Sequence, residues 1–322
     1  MSINTTRRAL TAIAALLTLG VGAAHAQADF PNRPIELVVP FAAGGGTDAL
    51  ARSFAEATRK HMPQSMIIVN KPGASGSIGW QDVANAKPDG YRLAVITVEL
   101  ATLAHMGIGK IASEDLQPIA QLNADPAAIT VRADAPWNTI EEFLAAAKKE
   151  PGKIGVANAG PGSIWHLAAS ALEDKAGVKF NHVPYQGAGP GVLALLGGHV
   201  EAAAVSPAEV ATYVQSGKLK TLAVMADQRV KGFDNVPTLK ERKIDLSIGT
   251  WRGIAAPKNT PPQVVTYLKT LAQKASSEPA FRETLAKQNL GFVYADDVAF
   301  KSLIARDNAY FKTLITKLGI KN

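Results

Sequence analysis

Short runs of apolar residues alternate with longer amphipathic segments along most of the chain. Compact apolar runs bounded by glycine, proline or polar residues are typical of strands that are buried on both faces. Because strands that alternate with helices form α/β folds, the pattern predicts mostly parallel sheets flanked by helices. The predicted strands cover residues 35–39, 66–69, 93–97, 129–131, 154–157, 200–205 and 219–225.

The amphipathic segments predict helices, and residues 139–149 are the clearest example. Phe143 and Ala147 fall on one face of this segment at helical spacing. Thr139 and Glu142 have the spacing of a capping box, so the helix is expected to begin there. Beyond residue 251 the pattern is mainly helical, and these helices need a sheet to cover, which we expect in the N-terminal half. They are predicted over 261–275, 278–289 and 296–317.

Two stretches, 38–48 and 154–163, repeat one plan of a strand, a glycine-rich turn and a helix. A helix N-terminus offers unpaired amides and a positive dipole end, and glycine lets a ligand approach closely. Two such ends facing each other across a cleft would suit a dicarboxylate. Alternatively, Thr47, Asp48 and Ser163 are ordinary N-caps, and the glycines serve only backbone geometry.

Two further glycine-rich turns follow predicted strands. Residues 73–79 have the spacing GxxGxxG, which does not match the dinucleotide-binding fingerprint, and the chain has no phosphate-binding GxxxxGK[ST] motif. Residues 185–191 form another strand-to-helix turn with the same capacity to bind an anion. The sequence thus gives no support for a nucleotide cofactor, and we expect none of any kind.

Catalytic and metal-binding patterns are sparse. Ser163 and His166 share one helix face, but neither an orienting acid nor a GxSxG motif accompanies them. The histidines show no HExxH or similar ligand spacing, so no metal site is expected. A chain without cysteine has neither disulfides nor thiolate chemistry. The residues therefore favour a binding protein, with a hydrolase using Ser163 and His166 as the alternative.

Two charged residues stand at positions where a cleft is expected. Arg252 marks the passage into the C-terminal helices, where it can hold a carboxylate bidentately or brace the crossing by pairing with an acid. We favour bracing. Glu99 follows the strand over 93–97, and it can recognise an amino group or be solvated. Solvation is the simpler expectation.

The N-terminal residues have the order of a secretory signal. Arg7 and Arg8 precede an apolar run over 9–24, and Ala24-His25-Ala26 fits a signal-peptidase site. We therefore expect export, with cleavage after Ala26. The run is shorter than the roughly 20 residues of a membrane span. Paired arginines are compatible with either the general or the twin-arginine export route.

The charge of the mature chain is mildly positive. Removing residues 1–26 takes two of the 34 Lys and Arg residues, so 32 remain against 27 acids, a net charge of +5. The basic residues are dispersed and not interleaved with aromatic ones, so nucleic acid is not an expected partner. A slightly positive surface favours small anions instead.

A set of short motifs occurs in order over nearly the whole mature chain. They lie at residues 34–48, 70–76, 87–91, 160–163 with 166–167, 183–187, 217–224, 236–238, and 251–253 with 256–257. In these motifs the chain resembles the Bug (Bordetella uptake gene) receptors of tripartite tricarboxylate transporters.

This resemblance implies a Venus-flytrap fold with two α/β lobes and a periplasmic location. The implied lobes are residues 27–125 plus 252–322, and residues 126–251. It also implies a monomeric receptor that is not an enzyme. The partners would be a small carboxylate, namely a di- or tricarboxylate, an acidic amino acid or an aromatic carboxylate, and the membrane subunits of the transporter. A sensory receptor that delivers its ligand-bound form to a signalling partner would use the same cleft.

The resemblance also implies where the ligand binds. A carboxylate would be held by the first glycine loop, in part through ordered waters, and by the loop over 74–76. The second lobe would contribute turns near Ser163 and Tyr185, and the stretch over 97–100 would vary with the ligand. The predicted ligand-binding residues are Phe41, Gly44, Gly45, Thr47, Ala74, Ser75, Gly76, Thr97, Glu99, Asn158, Ser163, His166, Tyr185, Gly187 and Arg252.

Overall fold

Two sheets that share one long strand form the centre of the protein. The computed structural model describes residues 30–320, and all elements below lie in the unit that begins at Arg33. The predicted signal peptide, residues 1–26, lies outside the described residues. The strands are β1 (Ile35–Val39), β2 (Met66–Asn70), β3 (Arg92–Thr97), β4 (Leu116–Arg132), β5 (Gly155–Asn158), β6 (Asn181–Pro184), β7 (Ala202–Val205), β8 (Leu219–Met225), β9 (Gly249–Pro257) and β10 (Phe292–Asp296).

The first part of the shared strand β4 belongs to the first sheet, and its second part belongs to the second sheet. From Leu116 to Pro126 it pairs with β9, and from Ala127 onward it pairs with β7 and β8. The first sheet has the order β2-β1-β3-β9-β4, with β10 also on β4, and the second has the order β6-β5-β7-β4, with β8 also on β4. The chain therefore leaves the first sheet for the second at Pro126.

The strand directions correct one prediction, because the sheets are mixed and not mostly parallel. The pairs β1–β2, β1–β3, β5–β6 and β5–β7 are parallel, whereas the pairs that include β4 or β9 are antiparallel. The reason is that β9 brings the chain back from the second sheet along β4, in the opposite direction. The outer strands keep the parallel arrangement that strand and helix alternation predicts.

Helices flank both sheets and lie close to their predicted positions. In the C-terminal part, α7 and α9 contact β4, and α7 and α8 contact α1, so they cover the first sheet as expected. None of the helices within residues 30–320 is long and apolar enough to cross a bilayer. The helices are α1 (Gly46–Thr58), α2 (Ser77–Ala84), α3 (Ile140–Lys149), α4 (Ile164–Ala176), α5 (Ala188–Leu196), α6 (Pro207–Gln215), α7 (Pro262–Ser277), α8 (Pro279–Lys287) and α9 (Asp297–Leu318).

The start of α3 shows how the local sequence sets a helix boundary. Thr139 is the N-cap, and its Oγ1 accepts a hydrogen bond from Glu142 N at 3.2 Å. The Glu142 carboxylate accepts from Asn138 N at 2.6 Å, one residue before the position that a capping box requires. The predicted cap is confirmed, and the reciprocal half of the box is displaced by one residue.

Close packing of β9 between β3 and β4 requires glycine at position 253. A Cβ at Gly253 would lie 2.4 Å from Ala120 O and 2.4 Å from Phe300 Cε1. We expect Gly253→Ala to lower the free energy of unfolding by about 1–3 kcal/mol, since the added methyl group overfills a packed core. Urea unfolding measures this change.

Gly191→Ala is the matched control for that substitution. Its Cβ would contact Ala157 Cβ at an ordinary 3.4 Å, within α5. Alanine also has a higher helix propensity than glycine, so this variant should unfold at the same or a higher urea concentration. Equal midpoints for Gly253→Ala and the wild type would contradict the packing argument.

Candidate ligand-binding site

A small cavity lies where segments of the two sheets meet. Its volume is ≈ 20 Å³, which corresponds to about one water molecule, so the cleft between the sheets is closed. Segments of the first sheet contribute Phe41, Ala42, Gly45, Gly46, Thr47, Thr97, Glu99, Thr250 and Arg252 to its wall. Segments of the second sheet contribute Ala159, Ile164, Trp165, Ala188 and Glu209.

The loop from β1 to α1 ends at Gly45, which is the N-cap of α1. The interpretation of Thr47 as an N-cap is therefore wrong, because Thr47 lies inside the first turn of the helix. Its hydroxyl is buried and accepts a hydrogen bond from Arg252 Nε at 3.1 Å. Thr47 thus connects the start of α1 to β9.

Asp48 fixes the conformation of this loop and is likewise not an N-cap. Its Oδ2 accepts from Gly44 N at 3.1 Å and from Arg52 Nε at 3.0 Å, and its Oδ1 accepts from Asn70 Nδ2 at 3.0 Å. Burial acts to raise the pKa of Asp48, but the hydrogen bonds from Arg52, Asn70 and Gly44 outweigh it, and the pKa is lowered. The charged form therefore holds Gly44, whose φ of +87° favours glycine.

The carboxylate of Glu209, on α6, lies at the start of α1. Its Oε1 accepts a hydrogen bond from Gly46 N at 3.1 Å and lies 3.5 Å from Arg252 Nη2. Its Oε2 accepts from Ser206 N at 2.9 Å. Burial raises the pKa of Glu209, and the lowering effects of Arg252 and the two amides do not cancel the rise. The start of α1, which lies beside the first sheet, thus holds a carboxylate from a segment of the second sheet.

The carboxylate of Glu99 makes the reciprocal contact at the start of α4. Its Oε1 accepts from Ile164 N at 2.9 Å, and its Oε2 accepts from the hydroxyl of Thr97. The expectation that Glu99 is solvated is wrong, since the residue is 2% exposed. The end of β3 faces α4 across the closed cleft, which removes the side chain from water. This burial raises the pKa of Glu99 despite its hydrogen bonds.

Arg252 braces the two passages between the sheets, as the sequence favoured. Its Nη1 donates to Asp125 Oδ2 at 2.5 Å and to Asn123 Oδ1 at 2.6 Å, both on β4. Nε donates to Thr47, and Nη2 is directed toward Glu209. The guanidinium is therefore bound on three sides, and Nη2 has the least complete set of partners.

The loop over residues 73–76 touches the turn that precedes α4. All four residues have positive φ angles, of 133°, 45°, 50° and 105°, and each non-glycine residue in this region costs about 1–2 kcal/mol. The strained loop presents Ser75, whose Oγ donates to Pro161 O at 2.5 Å. A Cβ at Gly160 would lie 2.9 Å from that Oγ, so glycine permits the contact between the two loops.

The turns of the second sheet at Asn158 and Tyr185 support one another. Asn158 Oδ1 accepts from Gly160 N at 3.0 Å, and Asn158 O accepts from Tyr185 N at 3.0 Å. Gly187 has a φ of 134° and packs against the first loop, where its Cβ would lie 3.3 Å from Phe41 Cβ. These residues shape the wall of the cleft through backbone contacts.

Ser163 and His166 have structural roles at the start of α4. Ser163 is the N-cap, as predicted, and its Oγ accepts from His166 N at 3.3 Å. His166 Nδ1 accepts from Gly162 N at 3.1 Å. Burial, together with the neighbouring His182, lowers the pKa of His166 to about 4. No hydrogen bond among the described residues joins the two side chains, so the geometry does not favour a nucleophile and base pair.

The predicted residues fall into two groups. Phe41, Gly45, Thr47, Thr97, Glu99 and Arg252 line the cavity, whereas Gly44, Ala74, Ser75, Gly76, Asn158, Ser163, His166, Tyr185 and Gly187 lie around it, in turns or at the ends of β5 and α4. Sequence reasoning missed Glu209, Asn123, Asp125 and Thr250. For Glu209 a signal was present, because Ser206 and Glu209 have capping-box spacing after a buried strand. Within residues 30–320 no group of three potential ligands is suited to a metal ion.

Comparison with known proteins identifies the family of the chain. A family profile described as "Tripartite tricarboxylate transporter family receptor" matches residues 50–320. The chain belongs to this receptor family. A relative from Cupriavidus necator, the "UPF0065 protein in gbd 5'region", is 38% identical over 316 residues, which are 98% of this chain and 96% of the relative.

Solved structures of such receptors share the fold. A TctC solute binding protein from Polaromonas, with no ligand, is 60% identical and has a TM-score of 0.66 over 90% of this chain and all of its own. Rpa4515 of R. palustris with adipate is 25% identical, with a TM-score of 0.87 over 91% of this chain and 99% of its own. MatC of Rhodopseudomonas palustris with bound malate is 27% identical, with a TM-score of 0.84 over 89% and 100%. The two-lobed α/β receptor fold is thereby confirmed.

The buried carboxylate of Glu99 makes the stability of the receptor depend on pH. Its pKa is higher in the folded than in the unfolded state, so the folded state binds the proton more tightly, and wild-type stability falls as the pH rises through the folded pKa. Glu99→Gln keeps the shape without the charge. We expect this variant to gain stability over the wild type between pH 4.5 and 7.5, by at most about 1.4 kcal/mol per pH unit. Urea unfolding at both pH values measures the gain.

Glu173→Gln is the control with the opposite sign. Glu173 is buried as well, but His182, whose Nε2 lies 3.3 Å from Glu173 Oε2, and the hydrogen bond from Phe180 N outweigh burial and lower its pKa. Removing its charge should therefore cost stability at neutral pH. A difference between Glu99→Gln and wild type that stays constant from pH 4.5 to 7.5 would contradict the argument.

Proposed function

We propose that the protein is a periplasmic receptor that binds a small organic carboxylate between its two sheets. The observation that carries this proposal is the convergence of three helix N-termini, at Gly46, Ile164 and Ala188, and one buried arginine on a single closed cavity. Helix N-termini and arginine both favour anions. The larger grooves, of ≈ 610 Å³ and ≈ 820 Å³, are not lined by the start of any of the α-helices α1 to α9.

The start of α1 is the proposed position of the ligand carboxylate. The amide of Gly46 already donates to a carboxylate, and no acceptor for the amides of Thr47 and Asp48 is found among the described residues. Arg252 Nη2 is directed to the same place. Charge-assisted hydrogen bonds of this kind are about twice as strong as neutral ones. The adipate and malate in related receptors support a carboxylate as the ligand.

The proposed lobes are residues 27–125 plus 252–322, and residues 126–251, which close on the ligand about two crossings. The passage of β4 from one sheet to the other at Pro126 and the start of β9 at Gly249 support these boundaries. The unliganded 60% identical relative superposes less well than the ligand-bound relatives of 25% and 27% identity. Because sequence divergence does not account for this order, it supports a different arrangement of the two proposed lobes in the unliganded relative.

The proposed partners are the membrane subunits of a tripartite transporter, which would receive the ligand from a monomeric receptor. Family membership supports this role. A closed cleft of ≈ 20 Å³ is far below the roughly 300–1,000 Å³ of ligand pockets. A carboxylate therefore enters only when the lobes separate, and the closed form that results is the one presented to the partner.

Gly46→Ala tests the position of the carboxylate. A Cβ at residue 46 would lie 2.8 Å from Arg252 Nη2 and 3.2 Å from Glu209 Oε1, so it fills the space in front of the helix end. We expect binding to weaken at least tenfold, since overpacking costs about 1–3 kcal/mol and 1.4 kcal/mol is tenfold in Kd. Calorimetry with malate, adipate, glutamate and benzoate measures the loss.

Gly191→Ala serves as the control, because it adds a methyl group to a helix at ordinary contact distances, and neither Gly191 nor the residues that this group would touch line the cavity. It should bind like the wild type. Wild-type affinity in Gly46→Ala would place the ligand elsewhere. If no carboxylate binds to the wild type, and native mass spectrometry of protein purified from its host shows no carboxylate bound, the proposed function is wrong.

A further inference from the structure

We propose that Glu209 is an internal competitor of the ligand, which occupies the place of the ligand carboxylate in the closed, unliganded receptor. The inference rests on the proposed function for the identity of the displaced ligand. Its conformational part, that Glu209 holds the cleft closed, rests on contacts of the chain alone. Binding of a carboxylate is then an exchange, in which the ligand replaces Glu209 at the start of α1.

The contacts of Glu209 are those that a bound carboxylate would make. Its Oε1 accepts from Gly46 N at 3.1 Å and faces Arg252 Nη2 at 3.5 Å. The side chain is 3% exposed, and Glu209 belongs to the wall of the cavity. One carboxylate oxygen therefore accepts from the Gly46 amide and lies beside the Arg252 guanidinium, whereas the amides of Thr47 and Asp48 have no acceptor among the described residues.

Glu209 reaches these donors across the cleft, which makes its contact dependent on closure. It lies on α6, which follows β7 of the second sheet, whereas Gly46 and Arg252 belong to segments of the first sheet. Separating the sheets breaks both contacts. The other carboxylate oxygen, Oε2, accepts a hydrogen bond from Ser206 N at 2.9 Å, which keeps Glu209 attached to segments of the second sheet.

The charges around Glu209 exclude a second carboxylate at the same place. Asp125 on β4 already pairs with Arg252 Nη1 at 2.5 Å, so the guanidinium is neutralised before Glu209 is counted. Glu99 lines the same cavity from the end of β3. A ligand anion that joined these carboxylates would be repelled by them, and displacement of Glu209 removes one of them.

The conformational part is tested without any ligand. The chain has no cysteine, so Ile78→Cys on α2 and Leu193→Cys on α5 provide two exposed labelling sites, 56% and 61% exposed, one beside each sheet. Double electron–electron resonance reports the distance between the spin labels. We expect the short-distance population of the unliganded protein to fall at least twofold in Glu209→Ala and in Glu209→Gln.

Glu173→Gln is the matched control in the same labelled background. Glu173 is a buried carboxylate that accepts a backbone hydrogen bond, from Phe180 N at 2.6 Å, but it is not part of the cavity wall. It should leave the distance distribution unchanged. Glu209→Gln keeps the size and one acceptor, so a loss of closure in this variant reports the charge and not a folding defect.

The competitive part is tested by calorimetry with malate and adipate. Glu209→Gln should bind the dicarboxylate at least tenfold more tightly than the wild type, whereas Glu173→Gln should not. Lowering the pH should reduce the difference in affinity between Glu209→Gln and the wild type, because a protonated Glu209 competes less well with the ligand carboxylate. The groups that face Glu209 are Arg252, Asp125 and the amides of Gly46 and Ser206, and the comparison of the two variants cancels titrations that they share.

The outcomes separate the inference from the proposed function. An unchanged distance distribution in both Glu209 variants overturns the inference, and so does an equal or weaker affinity of Glu209→Gln, which would make Glu209 a direct partner of the ligand. If neither wild type nor variant binds any carboxylate, the proposed function and the exchange fail together. The distance measurement then still decides whether Glu209 closes the cleft.

Discussion

A guanidinium buried between two sheets needs partners on every side, and this requirement shapes the centre of the receptor. Arg252 is 1% exposed, and its donors are directed to Thr47, to Asn123 and Asp125, and to Glu209. These partners lie on α1, β4 and α6. Breaking a buried ion pair by removing one partner costs about 3–5 kcal/mol. The three elements are therefore held in a fixed relation wherever the closed form persists.

The same arginine sets the charge balance of the cleft. Asp125 is enough to neutralise it, yet Glu99 and Glu209 are also buried in the cavity wall. Two like charges 4 Å apart repel by about 4 kcal/mol at an effective dielectric constant of 20. The helix N-termini that receive Glu99 and Glu209 offset part of this cost, because their dipoles favour negative charge. An anionic ligand thus competes with acidic side chains of the protein for the positive charge of this site.

Much of the fold follows from the sequence, because strands such as β1 and β7 lie within apolar runs. The predicted strand bounds agree with β1 and β8, and the C-terminal helices lie within a few residues of their predicted positions. The sequence did not predict β9, whose run GTWRGIAAP is interrupted by glycine and arginine, or the first part of β4, which contains Asn123 and Asp125. These polar residues are buried with partners from distant parts of the chain, the guanidinium of Arg252 and the backbone of Gly291. A pattern of hydrophobic positions cannot show that compensation.

The sequence predicted those parts of the site whose residues are close together along the chain. The glycine loops and the cap at Ser163 were recognised from short motifs, whereas Glu99 and Glu209 bind amides 65 and 163 positions away in the chain. A carboxylate's solvation depends on such distant partners, so the exposed state expected for Glu99 was wrong. The contacts of Glu99 and Glu209 with helix starts across the cleft can be recognised only from the three-dimensional arrangement of both sheets.

In this cleft, backbone amides can provide affinity for a carboxylate, whereas side chains provide specificity. The amides at the start of α1 exist whatever the side chains are, so they can hold the carboxylate common to many solutes. Discrimination between solutes must then come from groups that differ in charge or size around the same cavity, such as Glu99, Trp165 and Glu209. A buried acid rejects a solute that brings an additional negative charge to its vicinity and accepts one that brings a donor. The identity of the ligand is thus decided by the remainder of the molecule beyond its first carboxylate.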